Sequence, residues 1–311
     1  MTRSLVAFCL AVAAAVAQSH PVSIVWAPAE LDQLRSPHGA LLIPVEFGTL
    51  RCLMQLDTAA VDTVFYEGTM PRDVFQQQDD GSVTVQDMTI GGVKIQRTRF
   101  PLFKGRLFDG RPKPCTPSTP DVLVGTIGIT AFESSSIAID MVAGTFELIA
   151  QSGSPSHPEG SSTLQFASLS GVSSAIPIFK VKGKDGRYYT LLLDTGSAPI
   201  GALFYREAAW SAETTDPSRS QPFKIVRWGH GATCRLGRGA LDIVGRPGGV
   251  NVTDRLAYCD MEGDSIANGN EMDGLIGLLP FETRRLTIDF VNRRATIEPS
   301  TSTAPRPERL K

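Results

Sequence analysis

Apolar residues recur along this chain in short runs that alternate with polar ones or fill four to eight consecutive positions, the pattern of half-buried and fully buried β-strands. "LLIPVEF" and "RCLMQLD" flank Gly48-Thr49, and "AIPIFKVK" and "RYYTLLLD" flank Gly183-Lys184-Asp185-Gly186. Both pairs predict a hairpin with a tight, glycine-containing turn. "SVTVQDMTI" and "GVKIQRTRF" around Gly91-Gly92 predict a further one. A helical period is rare; short helices are expected near 203–210 ("LFYREAAW") and near 280–285 ("PFETRR"), the second opened by Pro280 and followed by the strand "LTIDF". Residues 151–165 open with "QSGSPSHPEGSST", a composition that predicts a linker, and 300–311 ("STSTAPRPERLK") that of a disordered tail.

The strand pattern occurs twice. "GTIGITAFESSSIAIDMV" (125–142) lies over "GLIGLLPFETRRLTIDFV" (274–291) at a constant offset of 149 residues, with eight identities and no gap. Upstream, the stretch from Ile43 to Ala59 lies over that from Ile176 to Gly196, the second copy having a longer hairpin. The chain therefore divides into residues 18–150 and 166–299, two similar all-β lobes joined by the linker. A length of 311 residues, 42% of them hydrophobic, suits two cores of this size.

Charge and cysteine content narrow the function. Thirty Lys and Arg face 32 Asp and Glu, with no basic run suited to phosphate backbones, so nucleic acid is not an expected partner. Residues 1–17 have one Arg, an apolar stretch from Leu5 to Val16 and a small-x-small end at Ala15-Val16-Ala17, the form of a signal peptide too short to span a bilayer. The expectation is a secreted or periplasmic protein without stable membrane insertion. Cys52, Cys115, Cys234 and Cys259 then remain; four cysteines allow three connectivities, and if each lobe folds around its own core the pairs are Cys52 with Cys115 and Cys234 with Cys259. No two cysteines are close in sequence and the four histidines (20, 38, 157 and 230) are scattered, so no metal site is expected.

Each copy carries an Asp at the end of an apolar strand: "LDTAA" at 56–60 and "LDTGS" at 193–197, each followed later by an apolar-apolar-Gly step at Gly128 and Gly277. Two such carboxylates brought together at a two-fold interface cannot both ionise cheaply and would share one proton, holding a water between a general base and a general acid. These segments resemble the retropepsin-like and pepsin-like aspartic protease superfamily, over nearly all of the chain beyond residue 17. The brevity of each unit is closer to retropepsin-like domains in tandem than to the larger pepsin lobes. The resemblance implies two acid-protease-like closed β-barrel lobes with a catalytic cleft between them, Asp57 and Asp194 as the dyad, Thr58 and Thr195 as reciprocal fasteners, Gly128 and Gly277 as support, and no cofactor. It implies cleavage of a peptide or protein substrate by a monomer with intrachain pairing of its lobes.

Two departures from the family pattern matter. Ala59 stands where the second copy has Gly196, and Ala60 where it has Ser197, whose hydroxyl could favour ionised Asp194 and make Asp57 the acid. A binding protein that has lost catalysis is the alternative reading of Ala59. In "VRWGHGATC" (226–234), Trp228, Gly229, His230 and Gly231 are similar in form to the aromatic and glycines of a pepsin flap, whereas the corresponding 76–85 of the first copy brings only the Asp80-Gly81 turn. Asp140 and Asp289, repeated in "AIDM" and "TIDF", are expected to be turn residues after a strand.

Overall fold

A computed structural model describes residues 19–31, 34–70, 74–104, 113–150, 165–168, 175–227, 230–244, 251–260 and 272–300. The candidate signal peptide, the tail beyond Ser300 and all but the last residue of the candidate linker lie outside these. What the alternating pattern builds is two ten-stranded sheets of the same strand order. In the N-terminal lobe the order is Phe75–Gln77, Ser82–Val85, Arg99–Phe103, Val64–Tyr66, Leu123–Ile127, Leu50–Leu56, Leu34–Phe47, Met88–Ile90 and Val93–Lys94, with Val25–Leu31 also paired to Leu34–Phe47. In the C-terminal lobe it is Gln221–Arg227, His230–Gly237, Leu256–Cys259, Ala202–Phe204, Gly274–Ile276, Tyr188–Leu193, Ala175–Lys182, Leu241–Ile243 and Asn251–Val252, with Gln165–Ser168 on Ala175–Lys182. The two lists match strand for strand.

A third sheet of five strands joins the lobes: Val22–Ser23, Thr145–Ala150, Ser135–Asp140, Arg284–Asp289 and Arg294–Pro299. Its central pair sets Ile137 opposite Ile288 and Ile139 opposite Leu286, all four fully buried. Burying a side chain of this size contributes about 1.5–3 kcal/mol. Asp140 and Asp289 end these strands and turn the chain: each accepts, through Oδ1, the N–H groups of the residues two and three further on, at 2.8 to 3.1 Å. The two disulfides are Cys52–Cys115 and Cys234–Cys259, one within each lobe. The first ties the strand that leads to Asp57; the second joins directly opposed residues of His230–Gly237 and Leu256–Cys259.

The helices differ from the sequence expectation. Leu203 and Phe204 belong to a strand, because they are buried between Gly274–Ile276 and Leu256–Cys259, and the α-helix runs Glu207–Glu213 instead. Around 280–285 only one 3-10 turn forms, Leu279–Phe281, before the next strand takes Arg284. The hairpin at Gly91-Gly92 is confined to Met88–Ile90 and Val93–Lys94, with both glycines in the left-handed region; Ser82–Val85 pairs with Arg99–Phe103 instead.

The helix is pinned at its middle and at its C-terminal end. Trp210 is fully buried and donates its indole N–H to Leu256 O at 2.9 Å, with the Arg235 guanidinium over its ring. Glu213, also fully buried, accepts the Tyr189 hydroxyl at 2.8 Å and the Lys184 N–H at 2.9 Å, so it clamps the 183–186 turn to the helix end. Glu213→Gln keeps the shape and weakens both charge-assisted bonds. It is expected to lower stability by about 1–3 kcal/mol in denaturant unfolding; an unchanged midpoint would show that the clamp contributes nothing.

Candidate active site

Both aspartates sit where a central strand leaves its sheet. Leu50–Leu56 runs parallel to Leu123–Ile127, and Asp57 N–H donates to Ile127 O at 3.1 Å. Tyr188–Leu193 runs parallel to Gly274–Ile276, and Asp194 N–H donates to Ile276 O at 2.9 Å. Each carboxylate then caps its own loop. Asp57 Oδ1 accepts from the N–H groups of Ala59 (2.9 Å) and Ala60 (3.0 Å). Asp194 Oδ1 accepts from Gly196 (2.9 Å) and Ser197 (3.2 Å), and its Oδ2 takes the Ser197 hydroxyl at 2.6 Å.

The loops are fastened to one another across the lobes by two threonines without solvent exposure. The Thr58 hydroxyl donates to Leu193 O (2.7 Å) and accepts from Thr195 N–H (3.2 Å). The Thr195 hydroxyl donates to Leu56 O (2.8 Å) and accepts from Thr58 N–H (3.0 Å). Gly128 and Gly277 lie behind the loops. A Cβ on Gly128 would sit 2.5 Å from Asp62 O and 2.7 Å from Ala60 O, and one on Gly277 would overlap the carbonyl oxygens of Ser197 and Ile200. Only glycine lets the crossing chain approach this closely.

Gly196 shows how near the carboxylates are. A Cβ built on it would lie 2.9 Å from both Cγ and Oδ2 of Asp57 and 3.0 Å from Oδ1 of Asp194. Both carboxylates therefore border one small space, and those oxygens are no further apart than the sum of the two distances. Left-handed backbone occurs at the non-glycine residues Asp87, Asp121, Arg255 and Arg293 among the described residues, and not at Ala59; Gly196 is not left-handed either. Glycine at 196 thus answers to proximity rather than to backbone conformation, and Ala59 closes its loop without left-handed backbone.

Behind Asp57 lies a tyrosine that the sequence did not point to. Tyr66 is buried, with its hydroxyl 2.5 Å from Thr126 Oγ1. Burial pushes that hydroxyl up to about 12; the Thr126 hydrogen bond opposes the shift and the negative charge of Asp57 adds to it. An unfolded tyrosine releases its proton near pH 10, so the stability carried by this group is full below about pH 10 and is lost as pH rises through about 12. In an ultraviolet tyrosinate titration, Tyr66→Phe is expected to remove a late-titrating group and Asp57→Asn to move that group downward. An identical late titration in Asp57→Asn would show that the two do not sense each other.

Of the flap candidates, Trp228 and Gly229 lie outside the described residues. Gly231 is exposed, and the backbone of His230 opens the strand His230–Gly237. That strand pairs with Gln221–Arg227 over its whole length, from Gln221 opposite Leu236 to Arg227 opposite His230. The matching hairpin of the N-terminal lobe pairs only Phe75–Gln77 with Val83–Val85, around a left-handed Gly81. Val25–Leu31, which the sequence did not mark as a strand, touches Gln221–Arg227 from across the lobes.

With the site in view, the architecture defines an all-β bilobal protein of the pepsin-like fold. Among solved structures it resembles the aspartic proteinase from Irpex lacteus, with a TM-score of 0.50 and 13% sequence identity over 91% of this chain and 98% of that one. No protein-family model and no curated protein sequence matches the chain, so the similarity rests on structure.

Proposed function

We propose that this chain is an exported aspartic endopeptidase, two retropepsin-like lobes in one polypeptide, that hydrolyses peptide bonds with a water activated between Asp57 and Asp194. The observation that carries the reading is the convergence of both carboxylates on the space beside Gly196, held by the reciprocal threonine bonds. Two carboxylates this near repel when both are ionised, which favours a pair with a single proton. The Ser197 hydroxyl donates to Asp194 Oδ2, and the corresponding residue of the other loop is Ala60, which has no hydroxyl. Asp194 then acts as the base, taking a proton from water as its oxygen attacks the scissile carbonyl. Asp57 gives its proton to the carbonyl oxygen, and collapse of the tetrahedral intermediate returns a proton to the departing amine.

The paired strands Gln221–Arg227 and His230–Gly237 are the flap of this reading, a cover for an extended substrate supplied by the C-terminal lobe. Export is supported by the N-terminal pattern and by the two disulfides, which persist in oxidising compartments. Among the described residues no helix is long and apolar enough to cross a membrane. The test is incubation with an unfolded protein from about pH 3 to 8. Cleavage on the acid side, blocked by a peptide mimic that places a hydroxyl between the carboxylates, is the expected result. Binding without cleavage at every pH would leave the alternative, a binding protein.

A further inference from the structure

A second recognition surface lies on the N-terminal lobe. From Met88 to Lys104 the chain carries no Asp or Glu, but it carries Lys94, Arg97, Arg99 and Lys104. Arg99–Phe103 pairs with Ser82–Val85, and beside this ladder opens a groove of about 760 Å³ whose walls include Asp80, Gly81, Ser82, Arg97, Arg99 and Pro101. Two of its cationic groups are held in place. Arg97 donates through Nε to Arg99 O (2.9 Å) and through one terminal nitrogen to Asp62 Oδ1 (2.8 Å) and Thr130 Oγ1 (3.0 Å), with its guanidinium over the Phe100 ring. Arg99 donates to the Ser82 hydroxyl (2.9 Å) and to Asp80 Oδ2. Lys104 Nζ comes within 3.9 Å of where a Cβ on Gly81 would stand, and among the described residues it has no ion-pair partner.

Three cations meet three carboxylates in and around this groove, Asp62, Asp80 and the adjacent Asp79 of the same turn, and Lys104 is the cation of the three without an ion-pair partner among the described residues. One of the carboxylates, Asp80, is already occupied by Ser82 through its N–H (3.1 Å) and hydroxyl (2.6 Å). Arginine has five N–H donors in a fixed fork, so both guanidinium groups keep donors beyond the bonds named. The inner end of the groove adjoins the Asp57 loop: Arg97 holds Asp62 and Thr130, and Thr130 N–H donates to Val61 O at 3.1 Å.

Resting on the endopeptidase reading, we infer that this groove binds Asp or Glu side chains of an extended polypeptide that leaves the cleft past the Asp57 loop, so that acidic segments beside the cleaved bond are preferred. Two otherwise identical fluorescent peptides, one carrying two Glu and the other two Gln in the same positions, test this by anisotropy and by cleavage rate at a pH where Glu is ionised. The Glu peptide is expected to bind the wild-type chain about tenfold more tightly at low salt, with the advantage shrinking as salt rises. Arg99→Gln with Lys104→Gln should abolish the advantage and leave the Gln peptide unaffected, while Arg99→Lys with Lys104→Arg, which keeps both charges, should retain most of it. Equal binding of the two peptides, or a Glu advantage that survives the double Gln variant, overturns the inference. The two readings fail separately. A Glu preference without cleavage refutes the endopeptidase and leaves the groove; cleavage without preference does the reverse.

Discussion

Asp194→Asn is expected to lower peptide-bond cleavage about a thousandfold or more, and Asp57→Asn by a similar factor. Asparagine is close to isosteric, so the Gly196 and Ser197 N–H groups that Asp194 accepts keep an oxygen acceptor and the loop keeps its shape. What is lost is the exchangeable proton: an amide neither takes one from water nor gives one to the carbonyl oxygen. Because the carboxylates act as a unit, the double variant is expected to be little worse than either single one. Single-turnover cleavage of a peptide, with far-ultraviolet circular dichroism as a check on folding, measures this. Either variant retaining more than about a tenth of the wild-type rate would remove the dyad from the mechanism.

The largest stability effect is expected from Thr58→Val combined with Thr195→Val. Valine matches threonine in shape, so the core is not emptied, but the change strips both hydroxyls from a region without solvent exposure. Leu56 O, Leu193 O and the N–H groups of Thr58 and Thr195 all lose the partners described above. Each buried group left unmade costs about 1–3 kcal/mol, so the double variant should lose about 4 kcal/mol or more. Either single change should cost roughly half as much, since each hydroxyl serves one donor and one acceptor. Denaturant unfolding followed by tryptophan fluorescence reads the loss. A double variant within about 1 kcal/mol of wild type would mean that the loops are held by the surrounding sheets rather than by these bonds.

Much of this arrangement was legible because it repeats. The 149-residue offset and the hairpins around Gly48 and Gly183 placed both aspartates at strand ends, and the observed disulfides are the pairs expected if each lobe folds around its own core. Local pattern failed where long-range packing overrides it. Val25–Leu31 contains Pro28 and lacks clean alternation, so nothing marks it as a strand until Leu34–Phe47 pairs with it. Leu203 and Phe204 suit a helix until two neighbouring strands bury them. Tyr66 and Arg97 were missed for a related reason. Their partners Thr126 and Asp62 are 60 and 35 residues away, a distance that no sequence period reports.

The sheet that joins the lobes carries a consequence for symmetry. With the offset of 149, Leu286 corresponds to Ile137 and Ile288 to Ile139, so the contacts Ile137 with Ile288 and Ile139 with Leu286 are one contact seen twice. That reciprocity is what a symmetric dimer of identical half-length chains shows about its two-fold axis, here drawn within one polypeptide. In such a dimer every mutation enters both subunits together. A single polypeptide carries no such constraint, so Ala59 and Ala60 stand in one half while Gly196 and Ser197 stand in the other, and one hairpin is longer than its counterpart.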